Sequence, residues 1–271
     1  MDNVLFQTLV PLAAVNGFFL FFLAVFIFIS RGRPRSKLVE EKSSSIILNK
    51  WFRDYWIWLT DPVVQWLIRQ RVSPNTISFV GFLFGVAAGG IYALGWHSTA
   101  CWTLIFGATF DIFDGRVARE TNRVSKSGAF FDSVLDRISE SVVFTGIAYH
   151  YRESWIFWLV MTGMLGSLMT SYTKNRGNAM GVDYEGGLMQ RPERIVYLGV
   201  GGVFLPLVTY GLQSLGLFSY WSLAEAINKL YVVPIGIVAV LSVYTTIVRI
   251  RENMKLLDRA EAKEPKNLSA S

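Results

Sequence analysis

The stretch DIFDGRVARETNRVSKSGAFFDSVLD, residues 111–136, places four aspartates in a chain that is otherwise rich in apolar residues. Asp111 and Asp114 are three residues apart, and Asp132 and Asp136 are four apart, so each pair shares one face of a helix. A short polar turn between the pairs predicts that the two helices form a hairpin. The pattern therefore predicts four carboxylates that converge at one level of the structure.

Four carboxylates near a membrane need compensation. One charged residue at the centre of a transmembrane helix costs roughly 2.5–3.5 kcal/mol. Divalent cations can provide that compensation, and oxygen ligands without nearby His or Cys favour Mg²⁺ or Mn²⁺ over zinc. A two-metal carboxylate site is a common device for phosphoryl-type displacement. The structural alternative is salt bridging of the aspartates at helix ends by Arg116, Arg119, Arg123 and Arg137.

The composition indicates a membrane protein. Of the 271 residues, 52% are hydrophobic and 15% are aromatic, more than in an ordinary soluble domain. A transmembrane helix needs about 20 mostly apolar residues. The chain is therefore predicted to be an all-α, polytopic membrane helix bundle, with spans at residues 4–30, 75–95, 98–119, 128–149, 154–174, 193–215 and 229–250.

The charge distribution predicts the orientation of the bundle. The first span lacks a basic n-region and is too long for a cleaved signal, so it is expected to be retained with its N-terminus outside. All of the 26 Lys and Arg residues except Arg152 and Lys229 then lie on or next to the cytoplasmic side. The net charge of +6 is therefore expected to face membrane lipids and not nucleic acid.

Small residues accompany the aspartates. Gly115 follows Asp114, Ala118 lies one turn farther on, and Gly128 lies one turn before Asp132. Missing side chains let a ligand approach the backbone, and Arg119 supplies a cation for a phosphate. The local prediction is a metal-bound nucleotide or diphosphate at the cytoplasmic interface.

The complete pattern, Asp111-x-x-Asp114-Gly115-x-x-Ala118-Arg119, eight residues, Gly128-x-x-x-Asp132-x-x-x-Asp136, resembles the signature of the CDP-alcohol phosphotransferases. The resemblance extends from about Pro74 to Arg251. It implies a six-helix membrane enzyme, a homodimer, that joins a phospho-alcohol from a CDP-linked donor to an acceptor hydroxyl and releases CMP. It also implies metal ligation by Asp111, Asp114, Asp132 and Asp136, with Asp136 as general base.

By the same resemblance the CDP site comprises Asp111, Asp114, Gly115, Ala118, Arg119 and Gly128. The chain would then divide into four parts. These are an extra N-terminal transmembrane helix at 1–30, a linker with an interfacial amphipathic helix at 31–71, a six-helix catalytic domain at 72–252, and a disordered cytoplasmic tail at 253–271.

A second stretch, SYTKNRGNAMGVDYEGGLMQRPERIVYLG at 171–199, bears on the acceptor. Each of its cations alone would be an ordinary helix-end residue that reaches the interface. Together, beside an acidic metal site, they predict a phosphorylated acceptor. The stretch resembles the bacterial phosphatidylinositol-phosphate synthases, although Gly177 and Asn178 replace an acidic residue usual there. The resemblance implies a bacterial or archaeal cytoplasmic membrane and inositol 1-phosphate held by Lys174, Arg176, Arg191, Arg194 and Arg249.

Other functions stay open at this point. Glycerol 3-phosphate is also a small phosphorylated alcohol, would use the same cations, and with CDP-diacylglycerol would give phosphatidylglycerophosphate. Another CDP-alcohol phosphotransferase is a further alternative within the family. A divalent-cation transporter is an alternative of a different class, but its carboxylates would line a path through the membrane and not gather at one boundary. A catalytically inactive scaffold fits poorly with a complete signature.

Overall fold

The computed structural model describes residues 2–30 and 50–263, which form helices joined by turns and a longer loop at residues 180–190. A π-helical turn, Val196–Val200, follows the short helix at Arg191–Ile195. The α-helices are α1 (Asp2–Ser30), α2 (Lys50–Arg69), α3 (Pro74–Ala93), α4 (His97–Glu120), α5 (Lys126–His150), α6 (Ile156–Ala179), α7 (Arg191–Ile195), α8 (Gly201–Ser214), α9 (Leu223–Leu230) and α10 (Val232–Lys263).

The predicted all-α membrane fold is confirmed. The predicted spans at 98–119 and 128–149 are helices α4 and α5, which form the hairpin that carries the acidic residues. The predicted linker at 31–49 lies outside the described residues. Four stretches of the described chain are long and apolar enough to cross a membrane, namely Pro74–Ala93, Ile156–Ala179, Arg191–Ser214 and Leu223–Ala262.

Glycines bring α3 close to both helices of the hairpin. A Cβ built on Gly81 would lie 3.0 Å from the Phe110 Cβ of α4. A Cβ on Gly89 would lie 2.7 Å from the carbonyl oxygen of Val142 on α5. Small residues at a four-residue period permit such close helix packing in membranes. The glycines of α3 therefore fix the distance between the three helices that carry the acidic site.

Helix α2 packs beside the acidic helix α4. Its Val64 belongs to a small buried apolar cluster with Val117 of α4. Arg116, which is 4% exposed, forms an ion pair with Asp61 of α2. The helix continues through Pro62. One of the four arginines considered as salt-bridge partners for the site therefore points away from it and ties α2 to α4.

The C-terminal helix is longer than predicted. The tail predicted to be disordered starts at residue 253, but α10 continues through Lys263, so residues 253–263 are helical. Asn253 donates a 3.0 Å hydrogen bond to the Thr173 carbonyl of α6, and Lys255 pairs with Glu252 one turn earlier. These contacts stabilise the extension. Residues 264–271 lie outside the described part of the chain.

Candidate active site

Three of the four predicted metal ligands meet. Asp111 and Asp114 on α4 and Asp132 on α5 each offer a carboxylate oxygen, and these oxygens lie within 4.8 Å of one another. Asp132 Oδ1 is buried and has no hydrogen-bond partner among the described residues. A buried carboxylate oxygen without a donor is costly. The all-oxygen donor set and this unsatisfied atom fit a hard divalent cation such as Mg²⁺ or Mn²⁺.

The first turns of α3 support these ligands. Ser73 caps the helix by accepting a 3.1 Å hydrogen bond from the Thr76 backbone N–H, and Pro74 occupies the first helical position. One turn later, Ser78 donates a 2.5 Å hydrogen bond to Oδ2 of Asp114. Sequence reasoning did not identify Ser78. The sequence does contain a signal for such a contact, namely a hydroxyl side chain in an otherwise apolar span.

The predicted CDP-binding residues lie near the carboxylates on both helices of the hairpin. A Cβ on Gly115 would lie 3.2 Å from Nη1 of Arg119, so the absent side chain leaves room for that guanidinium. Gly128 donates a 3.0 Å backbone hydrogen bond to the Ser125 hydroxyl at the start of α5. Ala118 is half-buried and Arg119 is exposed. A cation that reaches solvent beside small residues suits a diphosphate.

Asp136 is held differently from the other three aspartates. Its Oδ1 accepts a 2.7 Å contact from Nη2 of Arg191, and the Arg191 Nη1 also pairs with Asp111. Asp136 therefore lies next to the three-aspartate group but is not part of it. Its role as a fourth metal ligand stays a prediction, because the carboxylate oxygens that lie within 4.8 Å of one another belong to Asp111, Asp114 and Asp132. Arg191 joins α7 to both helices of the hairpin.

Two of the arginines predicted to contact the acceptor serve the protein itself. Arg194 is 1% exposed and donates to both Glu140 oxygens, at 2.5 and 3.3 Å, and to the Met189 carbonyl at 3.2 Å. Arg249 is 3% exposed and donates to the carbonyls of Gly186 and Thr170. Both guanidiniums are therefore engaged within the protein, and their contact with an acceptor phosphate stays a prediction. The sequence analysis did not identify Glu140, which lies one turn after Asp136, as the partner of Arg194.

Lys174 and Arg176 lie at the end of α6, where solvent can reach them. The Lys174 ammonium donates a 2.9 Å hydrogen bond to Glu185 in the loop at 180–190. This bond and the charge of the ammonium hold the pKa of the Glu185 carboxyl below its usual value. Arg176 is exposed. Lys174 therefore pairs with an exposed carboxylate on the neighbouring loop.

Two adjoining cavities run from the aspartates into the bundle. The first extends from Asp111 along α3 past Gly81 and Gly85. The second reaches the Glu140–Arg194 pair. Both are lined by Leu104, Asp136, Ser139, Arg191 and Ile195. Asp136 and Arg191 thus lie where the two cavities meet.

Known proteins with similar sequences carry the same stretch of chain. A family model described as CDP-alcohol phosphatidyltransferase matches residues 71–248. The phosphatidylinositol phosphate synthase of Streptomyces avermitilis is 32% identical over 231 residues, which cover 82% of this chain and 86% of that protein.

Solved structures of the phosphatidylinositol phosphate synthase of Mycobacterium tuberculosis are also similar. The structure with CDP-DAG bound gives a TM-score of 0.57 at 27% identity and covers 72% of this chain and 92% of that one. The structure in complex with manganese and citrate gives a TM-score of 0.57 at 26% identity, with 72% and 88% covered. These similarities confirm the predicted fold and reaction class, and the manganese complex agrees with the predicted metal.

Proposed function

Because the chain belongs to the CDP-alcohol phosphatidyltransferase family, we propose that it transfers the phosphatidyl group of CDP-diacylglycerol to inositol 1-phosphate. The position of Arg191 is the main support for this choice of acceptor. Its guanidinium pairs with Asp136 where the two cavities meet. Lys174 adds a second cation whose partner is a solvent-exposed carboxylate. Two cations beside an acidic centre favour an acceptor that is itself a phosphate.

The residues proposed to bind the donor lie on the hairpin of α4 and α5. Asp111, Asp114 and Asp132 would hold the divalent metal, with Asp136 beside them, and the bound ion would neutralise charge on the donor diphosphate. Arg119 contributes a further cation to that diphosphate. Gly115, Ala118 and Gly128 keep the backbone of the hairpin accessible to the nucleotide, because they carry little or no side chain.

Asp136 acts as the general base. It removes the proton from the acceptor hydroxyl while that oxygen bonds to the lipid-side phosphorus of the donor. The bond from this phosphorus to the bridging oxygen breaks, and CMP leaves with that oxygen. A base must lie within hydrogen-bond reach of the proton it takes. Arg191 supports this role because it holds one Asp136 oxygen in a fixed position at 2.7 Å.

The proposal includes a place in the cell and an assembly. The site faces the cytoplasm of a bacterial or archaeal membrane, because all Lys and Arg residues except Arg152 and Lys229 then lie on or next to that side. The acyl chains of the donor stay in the lipid, and CMP leaves to water. A homodimer follows from the resemblance to the family.

Release of CMP by the purified protein tests the proposal. The assay contains CDP-diacylglycerol, Mg²⁺ and either inositol 1-phosphate or glycerol 3-phosphate. Release with inositol 1-phosphate alone is the expected result. Release with glycerol 3-phosphate alone would retain the aspartate mechanism and refute the acceptor. No CMP release with either acceptor, together with metal uptake into liposomes in the absence of nucleotide, would favour the transporter instead.

A further inference from the structure

Three guanidinium groups gather around two carboxylates on α5. Arg194 holds both oxygens of Glu140, and Arg191 holds Oδ1 of Asp136 at 2.7 Å. Arg137, the third, interacts electrostatically with both carboxylates and with the other two arginines. Its closest ionic contact is long, at 3.8 Å from its Nη1 to Oδ2 of Asp136. The carboxylates are thus already engaged by stronger partners than Arg137.

Arg137 keeps unused hydrogen-bonding capacity. Its Nε and Nη1 atoms are buried, and neither has a hydrogen-bond partner among the residues that the structure describes. A buried donor without an acceptor is unfavourable, and a charged one more so. The side chain as a whole is 30% exposed, so its remaining surface is reachable by a ligand. An arginine with unsatisfied donors and a partly exposed side chain can bind an anion.

We propose that Arg137 binds the phosphate of the acceptor, next to the carboxylate that receives the acceptor's proton. The inference rests on the proposed function, because it concerns the acceptor of that same site. The two oxygens of Asp136 face different guanidiniums, Oδ1 facing Arg191 and Oδ2 facing Arg137. A small phosphorylated alcohol whose hydroxyl meets Asp136 carries its phosphate within reach of the neighbouring arginine. The planar fork of a guanidinium matches phosphate oxygens.

The competing role for Arg137 is structural. Its charge would then only offset the charges of Asp136 and Glu140, and its loss would weaken folding or turnover whatever the acceptor concentration. The two roles differ in what changes. A phosphate-binding arginine sets the acceptor KM and the affinity for phosphate, whereas a structural arginine sets kcat or Tm.

The test compares Arg137→Gln and Arg137→Lys with wild type, using the purified full chain. Arg152→Gln is the matched control, because Arg152 is a half-exposed arginine just beyond the C-terminal end of α5. Loss of a charge-assisted contact is expected to raise the inositol 1-phosphate KM by about ten- to a hundred-fold. The KM for CDP-diacylglycerol and the Tm should stay unchanged, and Arg137→Lys should give an intermediate acceptor KM. A normal acceptor KM with a lower kcat or Tm would overturn the proposal.

A second readout does not depend on turnover. Inorganic phosphate should raise the Tm of wild type and of Arg152→Gln, and should fail to raise that of Arg137→Gln. If wild type releases no CMP with inositol 1-phosphate but shows this difference, the phosphate site stands while the named acceptor falls. If phosphate stabilises Arg137→Gln as much as wild type, the assignment of Arg137 is refuted whichever acceptor the enzyme uses.

Discussion

Ser78 on α3 donates a 2.5 Å hydrogen bond to Oδ2 of Asp114 on α4. Both residues are buried, at 7% exposure each, so water does not compete for this bond. The hydroxyl fixes the rotation of a carboxylate that has two other aspartates as neighbours. An apolar span thereby contributes a polar support to the acidic site.

Replacing Ser78 by alanine should weaken metal binding without abolishing it. Supporting hydrogen bonds to metal ligands typically contribute about 10–100-fold to metal affinity or activity. We therefore expect a rise of that size in the Mn²⁺ dissociation constant, measured by titration of the free-ion electron paramagnetic resonance signal. Ser214→Ala is the matched control, because its hydroxyl bonds to the Gly211 carbonyl at the far end of α8. Equal Mn²⁺ affinity in both variants would contradict a supporting role.

The hairpin aspartates should separate metal binding from proton transfer. Asp132→Asn should remove Mn²⁺ binding and CMP release together, because it takes a ligand from the three-aspartate group. Asp136→Asn should lower kcat by about 10²–10⁴-fold, the usual contribution of a general base. It should retain most of its Mn²⁺ affinity, because Asp136 lies outside that group. Complete loss of Mn²⁺ binding in Asp136→Asn would instead identify Asp136 as a principal ligand.

Substitutions of Lys174 and of Glu185 should change the acceptor KM in opposite directions. Lys174→Ala is expected to raise the acceptor KM about ten-fold, because it removes one charge-assisted contact. Glu185→Gln frees the ammonium from an exposed ion pair whose strength is roughly 0.2–1 kcal/mol, so a modest fall in the acceptor KM is expected. Lys255→Ala, which breaks the exposed pair with Glu252, is the control. Steady-state kinetics at varied inositol 1-phosphate check all three, and a higher KM in Glu185→Gln would exclude competition between carboxylate and acceptor.

Two adjacent glycines of α3 should respond very differently to alanine. A Cβ on Gly89 would lie 2.7 Å from the Val142 carbonyl oxygen, whereas a Cβ on Gly90 meets no atom within 4 Å among those described. Gly89→Ala should destabilise the bundle by about 1–3 kcal/mol, the usual cost of overpacking. Gly90→Ala should be neutral or slightly stabilising, because alanine favours a helix over glycine. The Tm values in detergent check this pair, and equal values would show that α3 and α5 can separate at no cost.

The features predicted correctly are those encoded locally. Apolar runs and the spacing of the aspartates predict the helices, the hairpin and the meeting of Asp111, Asp114 and Asp132, because helical periodicity fixes which residues share a face. The start of α3 is also encoded locally, because Ser73 caps the helix and Pro74 occupies its first position. None of these features depends on a distant partner.

The features missed depend on contacts between distant parts of the chain. Arg194 finds Glu140 54 residues away, and Ser78 finds Asp114 36 residues away. A sequence shows a cation near an acidic motif but does not show whether a carboxylate from another helix already engages it. The bond of Arg249 to the Thr170 carbonyl, across 79 residues, is another contact that the sequence does not reveal.

The double contact of Arg191 has a consequence for substitutions. The residues proposed for the donor lie between 111 and 136, whereas Lys174 and the loop at 180–190 belong to a later segment anchored on α10 through Gly186 and Met189. Under the proposed function, a substitution in the later segment would change the acceptor half of the site and leave the nucleotide half intact. Arg191 limits this independence, because its pairs with Asp111 and Asp136 make any change there a change to both halves.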